Sequence, residues 1–148
     1  MRNIYRHTQI GWTIILTLGL AAFFAAIAAV ASLRWPLLLV VAVTIFSCLL
    51  FSSLTIAVTE SELVWFFGPG FLRRRIALSE IASAEPARNK WWWGWGVHLT
   101  PRGWLYNVDG RDAVEIAQKD GKSFRLGTDE PQALASALGF PPRQRLAE

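Results

Sequence analysis

Apolar residues follow two different rhythms along this chain, and the change comes near position 53. Before it, Thr8 to Leu33 and Trp35 to Thr59 are two long stretches without a charge. Neither shows a polar face at helical spacing, so neither reads as an ordinary surface helix. At about 1.5 Å rise per residue, about 20 residues cross the roughly 30 Å hydrocarbon layer of a bilayer. The pattern predicts two spans, about 10–33 and 35–53, joined by Arg34, Trp35 and Pro36 as a tight hairpin. Proline is tolerated in a helix's first turn, which suits Pro36. Ala29-Val30-Ala31 before Ser32 resembles a signal-peptidase site. The apolar stretch before it, however, exceeds the usual length of about 7–15 residues, and a second span follows at once.

From Leu54 the period becomes two. Leu54, Ile56 and Val58 alternate with Thr55, Ala57 and Thr59, the signature of a half-buried strand. Further strands are predicted at 63–67, 71–78, 81–88, 97–100, 104–108, 113–119 and 123–126. Pro86 places the 81–88 strand at a sheet edge. Asp120-Gly121 marks a hairpin between the last two strands. Thr128 is the expected N-cap of a short helix with Ala133, Leu134, Ala137 and Leu138 on one face, stopped by Gly139. The organisation expected is an anchor over 1–53, a domain of about seven strands with a closing helix over 54–140, and a polar tail over 141–148.

Charge sharpens this picture. Residues 1–53 hold Arg2, Arg6 and Arg34 and no acid, while the remainder carries 12 basic against 11 acidic side chains. The overall +4 therefore comes mostly from three arginines flanking apolar sequence, which argues against a nucleic-acid surface. Basic residues near the span ends favour the cytoplasmic side. Arg2 and Arg6 thus place the N-terminus and the C-terminal domain inside and the hairpin tip outside. Tyr5, Trp12, Trp35 and Trp65 are candidate interfacial anchors.

The order of elements carries a resemblance. Two spans, then Leu-Thr-Ile-Ala-Val-Thr, Leu-Val-Trp-Phe-Phe-Gly-Pro-Gly, Arg-Arg-Ile-Ala-Leu-Ser-Glu-Ile and Gly-Thr-Asp-Glu-Pro before a helix, resemble small bacterial integral membrane proteins with a pleckstrin-homology-like domain. The likeness covers residues 10–138. It implies a bent antiparallel β-sandwich or barrel with a C-terminal capping helix, carried by a transmembrane helical hairpin in the bacterial inner membrane. It brings no catalytic residue. Pleckstrin-homology domains of eukaryotes hold inositol phosphates on a basic first hairpin; here that turn is Thr59-Glu60-Ser61-Glu62, which is acidic.

Two groups stand out as candidate binding residues. Trp91, Trp92, Trp93 and Trp95 follow Lys90, with glycines at 94 and 96. Strict alternation would put Trp91, Trp93 and Trp95 on one side and Trp92 on the other, so a small core cannot absorb them all. Indoles suit the headgroup zone, where ring and N–H both find a partner. Arg73, Arg74 and Arg75, with Arg88 and Lys90 expected near them across the sheet, would attract anionic headgroups. Packing against the hairpin and a solvated positive strand are the plain alternatives for the two groups.

Nothing else in the sequence points to chemistry. His98, Asp109, Asp112 and Ser79 lack the spacing of a Ser-His-Asp relay, which is in any case a matter of geometry. No His cluster suggests a metal, and the glycine pairs lack the Lys-Ser/Thr of a phosphate loop. Cys48 is the sole cysteine, so no internal disulfide forms. Ala21, Ala25 and Ala29 offer a small-residue stripe for helix packing. The expected function is non-catalytic, without metal or cofactor: a binding or scaffold module contacting membrane lipids, a membrane protein partner or a second copy. The alternative is an accessory subunit of a larger membrane transport or secretion complex.

Overall fold

The alternation beginning at Leu54 builds one wall of the core. In the computed structural model, which describes residues 3–32 and 34–141, β2 (Ser53–Thr59) and β3 (Glu62–Phe67) pair antiparallel. They direct Leu54, Ile56, Val58, Leu63, Trp65 and Phe67 inward, all nearly or fully buried. β4 (Phe71–Ala77) flanks β3, and the sheet is completed on its other side by β1 (Asn3–Ile10). Met1, Arg2, Leu33 and the tail from Pro142 lie outside the described residues, so the tail and the orienting role expected of Arg2 do too.

The second sheet has five strands in the order β5 (Ile81–Arg88), β8 (Asp112–Gln118), β9 (Ser123–Gly127), β7 (Gly103–Asn107) and β6 (Gly96–Thr100). β7 and β9 run parallel, and every other neighbouring pair is antiparallel. Its inner face presents Tyr106, Val114, Ile116, Phe124 and Leu126 to the first sheet. Trp65 stacks on Phe124 at 4.9 Å and meets Tyr106 edge-on at 5.4 Å. Helix α3 (Pro131–Ala137) covers one flank with Leu134 and Leu138. The result is α+β, with two sheets and a C-terminal helix, and neither sheet closes into a barrel.

Several expectations change. The described residues form nine strands rather than about seven: each of the eight expected segments is one, and residues 3–10 add β1 where a lead-in to the first span was expected. Tyr5 donates to Glu130 Oε2 at 3.1 Å, and His7 Nε2 lies 2.6 Å from Asp129 Oδ1, which ties β1 to the start of α3. Trp65 is a core residue rather than an interfacial anchor, since strand alternation turns it inward. Thr128 does not cap α3: the helix starts at Pro131, and the Thr128 hydroxyl accepts the Glu130 N–H at 3.1 Å in the preceding turn. Pro86 does lie on an edge strand, β5.

Between β1 and β2 the chain forms α1 (Trp12–Ser32) and α2 (Pro36–Phe51). Both are shorter than the expected spans, because Ile10 ends β1 and Ser53 opens β2. Among the described residues α1 is the one helix long and apolar enough to cross a membrane. At 16 residues α2 is shorter, about 24 Å at helical rise. The helices pack through Ala22 and Ala29, with Ala25 partly covered; Ala21 is exposed, so the small-residue stripe is rotated from the one expected. Their other faces are bare. Leu16, Leu20, Phe23, Phe24, Ile27 and Val30 on α1 and Leu38, Leu39, Val43, Phe46 and Leu49 on α2 are each half or more exposed.

The helical pair stands on the domain through close contacts. The Gly11 N–H donates to Ser52 O at 2.8 Å, joining the helices at their base. The Thr13 hydroxyl donates to Asp109 Oδ1 at 2.7 Å, fixing the β7–β8 turn against the first turn of α1. Phe51 meets Phe67 edge-on at 5.4 Å. β1 and β2 pair from Asn3 with Thr59 to Ile10 with Ser53, so both ends of the helical pair emerge on the same side of it.

Candidate functional site

The tryptophan loop is held from below. At the end of β5, Asn89 is buried; its N–H donates to Arg111 O at 2.6 Å, and its Oδ1 accepts from Arg125 Nη1 at 3.2 Å. Arg125 in turn gives Nε to Glu115 Oε2 at 2.7 Å, with Nη2 on the same oxygen. Trp91, Trp92 and Trp93 then form one turn of 3-10 helix, closed by the Trp93 N–H on Lys90 O at 3.1 Å. Gly94 ends the turn at φ +69°, a backbone region open to glycine and costly to residues with a Cβ.

The segment is thus a loop between two strands, as its place between 81–88 and 97–100 implies, and the turn sorts the four indoles differently from strict strand alternation. Trp93 folds back beneath the Arg125 guanidinium, 5.2 Å from its ring centroid, and is only partly exposed. Trp91 and Trp92 point outward, 73% and 61% exposed, and meet edge to face at 5.8 Å. The Lys90 ammonium stands 5.1 Å above the Trp92 ring. Trp93 therefore serves the loop's own structure, and Trp91 and Trp92 serve its surface.

Trp95 goes to the helices. With Gly96, Val97 and His98 it lines a groove of about 360 Å³ whose other wall is Ile14, Thr17 and Leu18 of α1 and Phe51 of α2. A second hollow, about 300 Å³, lies between Lys90, Trp91 and Trp95 and the Asp109–Arg111 turn. Because that turn is bonded to Thr13, the whole loop sits beside the base of α1.

The arginine group is less unified than expected. Arg74 faces inward opposite Trp65, whereas Arg75 lies opposite Val64 on the outer face; all three arginines of β4 are exposed. Arg73 lies over the Phe66 ring, 5.8 Å from its centroid. Arg88 does not share their sheet: it ends β5, an edge strand of the other sheet, where it approaches Asp112 at 3.8 Å. Lys90 belongs to the tryptophan loop instead.

His98 is exposed, and its Nε2 contacts the Trp95 carbonyl rather than a serine or carboxylate. Among the described residues no group of three or more His, Cys, Asp or Glu side chains is arranged to hold a metal ion. The supporting pair Asn89 and Arg125 escaped the sequence reading. The available signal was an arginine inside the apolar strand Ser123–Gly127, with Glu115 on the neighbouring strand to neutralise it. No protein-family model, curated protein or solved structure matches the chain.

Proposed function

We propose that this chain is a non-catalytic, membrane-anchored binding module. In this reading α1 and α2 cross the bacterial inner membrane as a hairpin, and a pleckstrin-homology-like domain rests on the cytoplasmic headgroup layer. The bare helical faces support it: in water each exposed Leu, Ile or Phe would forgo about 1.5–3 kcal/mol of burial, and the apolar patch is continuous along both helices. The β1–β2 pairing supports an even number of crossings. Arg6 stands with the domain, which agrees with an inside location for both.

The observation that carries the reading is the shared groove of Trp95 with Ile14, Thr17 and Leu18. Leu18 lies six residues beyond Trp12, about 9 Å along the helix axis. If α1 is in lipid, Trp95 is at the interface, and Trp91, Trp92 and Lys90 beside it meet headgroups. Tethering keeps such contacts at high effective concentration, so individually small affinities suffice.

The test is quenching of tryptophan fluorescence in the full chain, reconstituted in phosphatidylcholine–phosphatidylglycerol vesicles with bromines at shallow or deep acyl positions. Shallow bromines should quench more, and the difference should shrink in the double variant Trp91→Ala, Trp92→Ala. Equal quenching in parent and variant would contradict the reading.

A second reading, an accessory subunit of a larger membrane transport or secretion complex, draws on Leu99 and Trp104. These cross-strand partners on β6 and β7 are 71% and 49% exposed at the end of the hairpin remote from the helices, where lipid would not cover them. A stoichiometric companion retained through purification in mild detergent would favour it.

A further inference from the structure

We infer that the β3–β4 turn is a second lipid-seated contact, in which Phe71 and Leu72 enter the interface and Arg73, Arg74 and Arg75 gather anionic phospholipid. This rests on the proposed membrane placement of α1 and α2, and names the lipid class that the domain selects.

The turn lies against α2, at Leu49 and Phe46, whereas the groove of Trp95 is walled mainly by α1. A Cβ added at Gly68 would come within 2.6 Å of Leu49 O, so backbone meets backbone there. Phe71 packs edge-on against Phe46, with ring centroids 6.3 Å apart. Phe46 lies five residues before Phe51, the last residue of α2, which sets Phe71 about 7.5 Å inward from the helix end. Phe71 and Leu72 are nonetheless 47% and 50% exposed, and Leu72 has φ +50°, uncommon for a leucine. An apolar pair held in this way beside a membrane helix has lipid as its natural surroundings.

The charge then falls at a suitable level. β4 runs from the helices toward the remote end of the domain, where Ala77 pairs with Glu62. At about 3.3 Å per strand residue, Arg73 and Arg74 lie roughly 7–10 Å from Phe71. The polar zone on each side of the hydrocarbon is about 5–8 Å thick, so these guanidiniums reach phosphate depth while the turn stays in the acyl margin. Among the described residues no carboxylate lies within 4 Å of any of the three. Their charge is therefore available to anionic headgroups, and guanidinium matches phosphate in a bidentate manner. Zwitterionic headgroups offer the same phosphate with a compensating cation, which predicts a preference rather than an absolute requirement. The acidic Glu60–Glu62 turn stands at the opposite end of β3 and takes no part.

The experiment uses the full chain with Cys48→Ser and a single environment-sensitive fluorophore on Leu72→Cys. Phe23→Cys in α1 and Lys122→Cys in the remote β8–β9 turn serve as references. Vesicles contain equal mole fractions of phosphatidylcholine and phosphatidylglycerol, with one or the other brominated. The label at 72 should be quenched well above that at 122, and more by brominated phosphatidylglycerol than by brominated phosphatidylcholine. Each arginine can enrich anionic lipid locally by up to about fivefold, so Arg73→Gln, Arg74→Gln, Arg75→Gln should abolish the preference while leaving the depth. Because Leu72 has an unusual backbone, the preference is read again from a label at Phe71→Cys.

Quenching at 23 without quenching at 71 or 72 overturns the wedge and leaves the anchor standing. Equal quenching by the two brominated lipids overturns the anionic selection. Labels at 71 and 72 shielded both from bromines and from aqueous iodide would mean a protein surface covers the turn, which also overturns it. An unquenched label at 23 defeats the membrane placement itself.

Discussion

The indole of Trp93 lies against the guanidinium of Arg125, 5.2 Å from ring centroid to Cζ, on the outer face of the five-stranded sheet. One buried cation thus sets the shape of the most aromatic segment in the chain. It fixes Asn89 at the loop's entry, Trp93 at its middle and Glu115 beneath.

Arg125→Met should therefore destabilise the domain well beyond a surface change. Removing one partner of a buried ion pair costs about 3–5 kcal/mol, and the lower end applies because the Glu115 side chain is a quarter exposed. The check is the thermal unfolding midpoint in detergent, with Arg102→Met, whose side chain is 63% exposed, as the near-neutral comparison.

Trp93 and its neighbours should part company in the same measurement. Trp93→Ala should cost stability through the lost stack on Arg125. Trp91→Ala with Trp92→Ala should leave the midpoint within about 0.5 kcal/mol of the parent, as surface substitutions do. An equal loss in both would mean that all three indoles are structural.

Glycines 19 and 68 should respond differently to the same substitution. Gly68→Ala forces a Cβ to 2.6 Å from Leu49 O at a φ of +50°, and should loosen the β3–β4 turn from α2. Gly19→Ala meets nothing within 4 Å inside α1 and should be neutral or raise stability by up to about 1 kcal/mol. Unfolding midpoints of the two variants decide it.

The anchoring of β1 should fail in alkali. Burial, reinforced by the hydrogen bond to Glu130, pushes the Tyr5 hydroxyl above the ordinary tyrosine range. A folded-state value raised above the unfolded one gives stability fully present below pH about 10, then lost as pH rises and the unfolded chain ionises. Tyr5→Phe should be slightly less stable at pH 8, yet lose less than the parent between pH 9 and 11. Parallel losses would show that Tyr5 does not govern the effect.

How much of this was legible in the sequence varies element by element. β2 and β8 were plain because their apolar residues alternate, β3 because it is an unbroken apolar run buried at Leu63, Val64 and Trp65 alike, and β9 because Asp120-Gly121 marks the hairpin that leads into it. β1 was not: its inward positions are the polar Tyr5, His7 and Gln9, which reach Glu130 and Asp129 just before α3 and the Asp109 carbonyl. Such partners, about a hundred residues away or more, leave no local period. In the all-apolar run 63–67 nothing local tells which face Trp65 takes; its pairing with Ile56 turns it inward. The tryptophan loop announced itself, but its division of labour depends on Arg125, which only pairing of β8 with β9 brings beneath Trp93. The bare faces of α1 and α2 were foreseen from composition, and their rotation was not, since alanines fill both sides.

Every role given to the tryptophan loop and the β3–β4 turn requires the helical pair to reside in a bilayer. The most direct measurement is fractionation of the full-length chain: alkaline carbonate extraction of membranes containing it, followed by size-exclusion chromatography with and without detergent. The prediction is retention in the membrane pellet after carbonate and a monodisperse peak only with detergent. Release by carbonate as a stable, water-soluble monomer would contradict it.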